Sequence, residues 1–297
     1  MTGPEQGFLL LTSQLGAPER KPLTVAQLRM LATRAGMMKA PAEERDLTVG
    51  DLMELGYGEE MARHILQLLS EEELLRCYLR KGARQGCFPL SRLTEHYPAV
   101  IRNRLGLDSP GSLWYKGELD LLATPKVALV GSRFLNPANA RFAREVGRQA
   151  ARQGYTLVSG NASGADTMAQ EACLEAGGRV IAVVSHGLQE QKVRNRLLYL
   201  AEDGFDRPFS PQSALSRNRV IHSLGEKTFV AQATLEKGGT WDGTVRNLRF
   251  GWSPVFCFRD GSEAACRLGN LGAQLIGTDA LANIVELNRN EINFFDQ

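Results

Sequence analysis

One stretch, Lys126 to Val184, constrains this chain more than any other. It begins KVALVGSR, continues for about one helix, reads YTLVSGNASGAD, continues for a second helix, and closes on RVIAVV. Val127 to Val130 and Thr156 to Val158 are short apolar runs, and each ends in glycine with small polar neighbours. Between them, Phe142, Val146, Ala150 and Ala151 fall on one face at helical spacing, while Arg144, Glu145, Arg148 and Arg152 fill the other. Continuous apolar strands alternating with amphipathic helices predict βαβ units and a parallel sheet covered on both faces.

The glycines fall where such a sheet binds ligands, outside the carboxyl ends of its strands. Gly131, Ser132 and Arg133 follow the first strand, and Ser159, Gly160 and the residues to Gly164 follow the second. Glycine lets backbone N–H groups approach a ligand closely, and the helix N-terminus that follows favours an anion. The pattern suits a phosphate cradle. It equally suits plain tight βα turns, because it is neither GxGxxG nor GxxxxGK[ST].

The chain has 297 residues, enough for a large core or two domains, and its 43% hydrophobic content is that of an ordinary globular protein. A net charge of +2 excludes a globally basic nucleic-acid binder, so any such site must come from local clustering. The 5 cysteines include no CxxC pair, which fits reduced thiols in the cytoplasm. The 4 histidines lack partners at zinc-like spacing, so no metal and no cofactor is expected. The apolar run Phe8 to Leu11 is too short for a signal peptide, and no membrane span is expected.

Residues 1–85 read as a small all-helical domain. A helix is expected from Leu23-Thr24 to Ala35, and another from Thr48, which can cap with Asp51 three residues on. Gly56-Tyr57-Gly58 breaks it, and helices over Met61 to Leu69 and Glu72 to Lys81 end near Gly82. Short helices with glycine turns resemble sterile-alpha-motif or helix-hairpin-helix modules, and they also suit a plain small bundle. Residues 86–125 read as a lead-in, with a short strand at Leu113 to Tyr115 that can add an edge to the sheet. Residues 86–297 then form the α/β domain. Val255 to Phe258 reads as a core strand or as an edge open to a second subunit.

Several motifs occur in order: Tyr97-Pro98, LWYKG at Leu113 to Gly117, VGSR at Val130 to Arg133, and SGNASGAD at Ser159 to Asp166. GGRVIAVVSHGL (Gly177 to Leu188), SRNRVIHSL (Ser216 to Leu224), a Gly-Gly-Thr loop within Lys237 to Thr244, and LGNLGAQLI (Leu268 to Ile276) follow. As an ordered set they resemble the DNA-processing protein A (DprA/Smf) family over roughly Phe88 to Ile276. The resemblance implies an extended Rossmann-like fold, binding of single-stranded DNA, a homodimer, and loading of RecA recombinase during natural transformation, without enzymatic activity. It implies a DNA pocket built from Arg133, Ser159, Gly160, Gly164, Asp166, Arg217, Asn218 and Arg219, with Gly238, Gly239 and Thr240 at the rim. The residue chemistry agrees. Arg133, Arg217 and Arg219 are forked, permanently charged phosphate donors. Asp166 opens a helix, where it can cap free N–H groups. Trp241 and Trp252 lie near the rim in sequence, though a core role suits either better, and Arg217 to Arg219 also suits a solvated helix face.

Some positions depart from the family pattern. Ser163 stands where an arginine is usual, and Gln170 where a histidine is usual. The chain is expected to end in a short helix over Asp279 to Leu287 and a polar tail, with no room for the winged helix that many members carry. GGTWDGT echoes the PGGxGT loop of the related phosphoribohydrolases, but no glutamate follows Thr244; only Glu236 and Asp242 lie near. Glycosidic cleavage needs such a carboxylate. Two alternatives therefore stand beside DNA binding: a nucleotide sensor, and a nucleotide hydrolase.

Overall fold

In the computed structural model, which describes residues 1–36 and 46–287, the chain opens with helices α1 (Gly3–Thr12), α2 (Val25–Ala35), α3 (Val49–Glu54), α4 (Glu59–Ser70) and α5 (Glu72–Arg84). The threonine caps form as their spacing predicts. Thr24 and Gln27 close a capping box at the start of α2, and Thr48 and Asp51 do so for α3. The helix α1 has a third box, Thr2 with Glu5, and buries Leu9 and Leu10, so the apolar run Phe8 to Leu11 is one turn of a packed helix. The buried Arg20 stitches this region, donating to the carbonyls of Leu10, Ser13 and Leu68 and pairing with Glu71 at 2.5 Å. Those acceptors sit at helix ends, where carbonyls lack intrahelical partners.

Gly82 does not end its helix; α5 runs on to Arg84. A Cβ at position 82 would meet the Cys87 carbonyl at 2.9 Å and the rings of Trp114 and Phe205 at 3.0 and 3.1 Å. Glycine is there for close packing. One helical turn earlier, Tyr78 stacks on Phe205 at 4.6 Å and meets Trp114 edge-on at 5.2 Å. The helices α1 and α5 thus share a core with the sheet.

The remaining elements are β1 (Phe88–Ser91), α6 (Ala99–Leu105), β2 (Ser112–Gly117), β3 (Lys126–Val130), α7 (Pro137–Arg152), β4 (Thr156–Ser159), α8 (Ala165–Glu175), β5 (Arg179–Val183) and β6 (Leu197–Glu202). Then follow α9 (Pro211–Leu224), β7 (Lys227–Val230), α10 (Gly238–Phe250), β8 (Val255–Phe258), α11 (Glu263–Asn270) and β9 (Gln274–Ile276). Among the described residues the strands form one sheet, ordered β1-β2-β6-β5-β4-β3-β7-β8-β9. Pairing from β6 to β9 is parallel, and the lead-in contributes an antiparallel edge pair, β1 and β2, joined through α6. This is the expected α/β architecture, an extended Rossmann-like sheet.

Alternation along β3 shows how both faces are filled. Val127 and Leu129 join the core with Phe142 and Val146 of α7. Ala128 and Val130 join the opposite core with Val220, Ile221 and Leu224 of α9. β8 lies between β7 and β9, so Val255 to Phe258 is an interior strand. Asp279–Asn283 is a 3-10 turn, with Leu281 and Ile284 buried against α7, where an α-helix was expected. The polar tail from Asn288 lies outside the described residues. From β3 the chain steps outward through β4, β5 and β6, then returns along α9 to β7 on the other side of β3. That reversal opens a crevice at the carboxyl ends of β3 and β7.

Phe205→Ala is expected to destabilise the protein by about 3–5 kcal/mol, as loss of a fully buried aromatic ring does. Equilibrium urea denaturation measures this, and a loss below about 1 kcal/mol would show that α5 and the sheet do not share a core.

Candidate nucleic-acid interface

The crevice holds a cleft of about 520 Å³. Its floor joins the two glycine loops. The Ser132 N–H and hydroxyl both donate to the Gln232 carbonyl, at 3.0 and 3.1 Å, which ties the loop after β3 to the loop after β7. Gly164 has φ +90°, and a Cβ there would strike the carbonyls of Ser132 and Arg133. The SGNASGAD loop therefore lies directly on the VGSR turn. Gly131 presses against Ala165 at the start of α8, leaving no space for a side chain.

The side chains of two cations on the rim make no hydrogen bond or ion pair with any described residue. Arg133 is exposed and lines the cleft, and so does Lys237, the N-cap of α10. Gly238, Gly239 and Thr240 are not a free loop, as the sequence suggested; they are the first turn of α10. No side chain caps that turn. Its N–H groups border the cleft with the partial positive charge of the helix end. Asn218 steadies the turn by donating to the Gly239 carbonyl at 2.8 Å.

The other arginines do different work. Arg217 is buried, with its guanidinium donating to the carbonyls of Gly160 and Val183. It lines the cleft, but it is only 8% exposed and holds the ends of β4 and β5, where the motif implied an open phosphate donor. A Cβ at Gly160 would overlap that guanidinium, so glycine is required there to admit the arginine. Arg219 does not line the cleft. It pairs with Glu202 at 2.7 Å and donates to the Asp108 carbonyl at 3.0 Å. The motif places these residues two apart on α9, so they point to different sides of the helix.

Ser159 is fully buried, and its hydroxyl accepts from Gln170 at 2.6 Å. The histidine-to-glutamine departure thus engages the serine internally. Asp166 lines the cleft, but it accepts from the Ala162 N–H at 3.2 Å and braces the loop more than it caps the helix. Burial raises its pKa, against the pull of Arg217 and the Ala162 and Gly160 amides. Glu236 and Asp242 are exposed and line no part of the cleft.

Sequence reasoning missed Lys237, Phe134 and Phe209. Phe134 is 89% exposed beside Arg133, and Phe209 is 52% exposed just before α9. Both line the cleft, where apolar rings held in water offer stacking faces. Phe209 also meets His186 edge-on at 5.3 Å, in an adjoining cavity of about 280 Å³ that includes Ser163. Trp252 is buried in the core and Trp241 packs half-buried against it; neither lines the cleft. The signal for Phe134 was legible, since a large apolar residue after VGSR interrupts the polar turn; nothing local marked Phe209.

Residues 90–280 match the family described as DNA recombination-mediator protein A. The chain belongs to that family. The DNA processing protein DprA of Streptococcus pneumoniae is 34% identical over 190 residues, covering 59% of this chain and 67% of that protein. Protein Smf of Synechocystis is 26% identical over 267 residues, covering 80% of this chain and 61% of its own length. The solved structure of the Streptococcus pneumoniae protein superposes with a TM-score of 0.70 at 28% identity, covering 95% of this chain and 98% of that one. The Helicobacter pylori DNA processing protein A, described for its single-stranded DNA binding mode, gives a TM-score of 0.55 at 25% identity and covers 66% of this chain and 94% of its own. Among the described residues no helix is long and apolar enough to cross a membrane.

The Arg219 contact has a measurable consequence. Burial pushes Glu202 up to about 7 from an ordinary 4.5, against the attraction of Arg219 and with help from the neighbouring Asp203. A carboxyl raised in the folded state contributes stability that is present below pH 4.5 and lost as pH rises through about 7. Buried His222, lowered to about 3, acts in the opposite sense. Glu202→Gln removes only the first effect. The stability of wild type relative to this variant is expected to fall between pH 4.5 and about 7, read from urea midpoints; a constant difference refutes the assignment.

Proposed function

We propose that the chain binds single-stranded DNA in this cleft and acts as a recombination mediator, performing no covalent chemistry. The observation that carries the proposal is exposed Arg133 on the rim, whose side chain makes no hydrogen bond or ion pair with a described residue and which lines one cleft with exposed Phe134, Lys237 and the first turn of α10. Single-strand binders combine cations for the backbone with aromatic faces for the bases, and this combination needs no sequence readout. The family's description as a recombination mediator supports a recombinase as the protein partner; the proposal adds that this partner is of the RecA class and that the chain acts as a homodimer, in the cytoplasm, during DNA uptake. Asp166 is the carboxylate that lines the cleft, and its engagement by the loop supports a binding role over glycosidic cleavage.

Fluorescence anisotropy with labelled oligo-dT of increasing length, at two salt concentrations, tests the proposal. Affinity is expected to rise with length, fall with salt, and resist competition by mononucleotides. Saturation by a single nucleotide would favour a sensor, turnover of one would favour a hydrolase, and either result overturns the proposal.

Two arginines separate binding from stability. Arg133→Ala is expected to leave the urea midpoint unchanged, weaken every oligonucleotide alike, and lower the salt slope by about 0.7. Arg217→Ala is expected to lose about 1–3 kcal/mol of stability for the buried carbonyls it strands. Equal stability losses in the two variants would contradict the division of roles. Phe209→Ala is expected to weaken binding by about 1–3 kcal/mol, the contribution of one stacked base; unchanged affinity removes Phe209 from the site.

A further inference from the structure

The α7 helix starts four residues after Arg133, at the rim of the cleft, and runs away from it along one face of the sheet. Its inner side is fixed by buried Phe142, Val146 and Ala150. That leaves Arg141, Arg144, Arg148 and Arg152 on the outer side, opposed by Glu145 alone in sixteen residues. In a chain of net charge +2, this is a marked local concentration. The side chains of Arg141, Arg144 and Arg152 make no hydrogen bond or ion pair with any described residue, and that of Arg148 has only a half-buried pair with Glu145 at 3.2 Å. The N-terminal helices are built differently. On α4, Arg63 pairs with Glu59, and on α5, Arg76 pairs with Glu72. Like charges four residues apart weaken a helix, so the α7 row opposes the stability of its own element.

We infer that the outer face of α7 is a track for the sugar–phosphate backbone of a single strand leaving the cleft, an extension that rests on the proposed DNA-binding function. Arg144, Arg148 and Arg152 follow one another at about 6 Å of rise, and Arg141 to Arg152 covers about 16 Å. A row of forked donors at regular intervals matches successive phosphates, and it offers no aromatic face to read bases. The stripe therefore adds affinity that depends on strand length and not on sequence. Continuity with Arg133 favours a nucleic acid over an acidic protein surface, because the stripe lies on the helix that begins four residues past this rim cation, so a strand leaving the cleft on that side meets it.

The test compares the full chain with the triple variant Arg144→Gln, Arg148→Gln, Arg152→Gln. Each is titrated with a short oligo-dT that fills only the cleft and with one several times longer. The short oligonucleotide is expected to bind both proteins alike. The long one is expected to lose its extra affinity in the variant, and its salt slope is expected to drop by about 2, or about 0.7 for each of the three contacts. A second variant with lysine at the same positions retains the charge and is expected to keep most of the length-dependent gain. If the glutamine variant keeps the full gain, the stripe is not a strand track. Equal loss for short and long oligonucleotides, at matched melting temperature, also overturns the inference. Failure of the wild-type chain to bind any oligonucleotide would instead overturn the DNA-binding proposal itself.

Discussion

A single buried guanidinium organises the carboxyl edge of this sheet. Arg217 projects from α9 and donates to the carbonyls of Gly160 and Val183, just past β4 and at the end of β5. Backbone acceptors at that depth are costly when unpaired, so the contact determines how the loops after these strands end. Gly160 follows from it, because a Cβ would occupy the guanidinium's place. Asp166, beside it, answers its charge and braces the loop. With those groups engaged internally, Arg133 is left on the rim with no hydrogen bond or ion pair from its side chain to any described residue, within electrostatic range of Asp166.

The sheet beneath is stable on its own terms. Alternate residues of β3, β4 and β5 divide between two apolar cores, one under α7 and α8 and the other under α9. The first core also takes in Leu9, Leu75 and Tyr78, so the N-terminal helices are anchored through aromatic packing on Trp114 and Phe205. Such a scaffold holds loop residues at its carboxyl edge in place while leaving their tips in water, the arrangement that binding sites on rigid frames require.

Much of the fold was legible because its signals are local. Apolar runs ending in glycine became β3 and β4, and the threonine caps at 24 and 48 formed as their spacing demands. Gly82 misled because a glycine that ends a helix and one that admits a neighbouring ring look alike in sequence. The cleft was legible in outline: Gly131, Ser132, Arg133, Asp166, Arg217, Asn218, Gly238, Gly239 and Thr240 all border it. Arg219 was expected in the pocket and lies outside it, because which side of α9 meets the cleft depends on how α9 crosses the sheet; Phe209 sits just before α9, where no local signal marked it.

The sequence by itself determined the alternation of strand and helix, the burial of both sheet faces, and the location of the glycine turns at strand ends. These follow from hydrophobic period and from glycine's missing side chain, properties a residue carries with it. Tertiary structure alone decided which charges are free. Arg133, Arg217 and Arg219 are chemically identical, yet the first faces water, the second is held by carbonyls far along the chain, and the third is paired with Glu202. Whether a guanidinium can meet a phosphate depends on what else lies within hydrogen-bond distance, and only the folded chain brings those partners together.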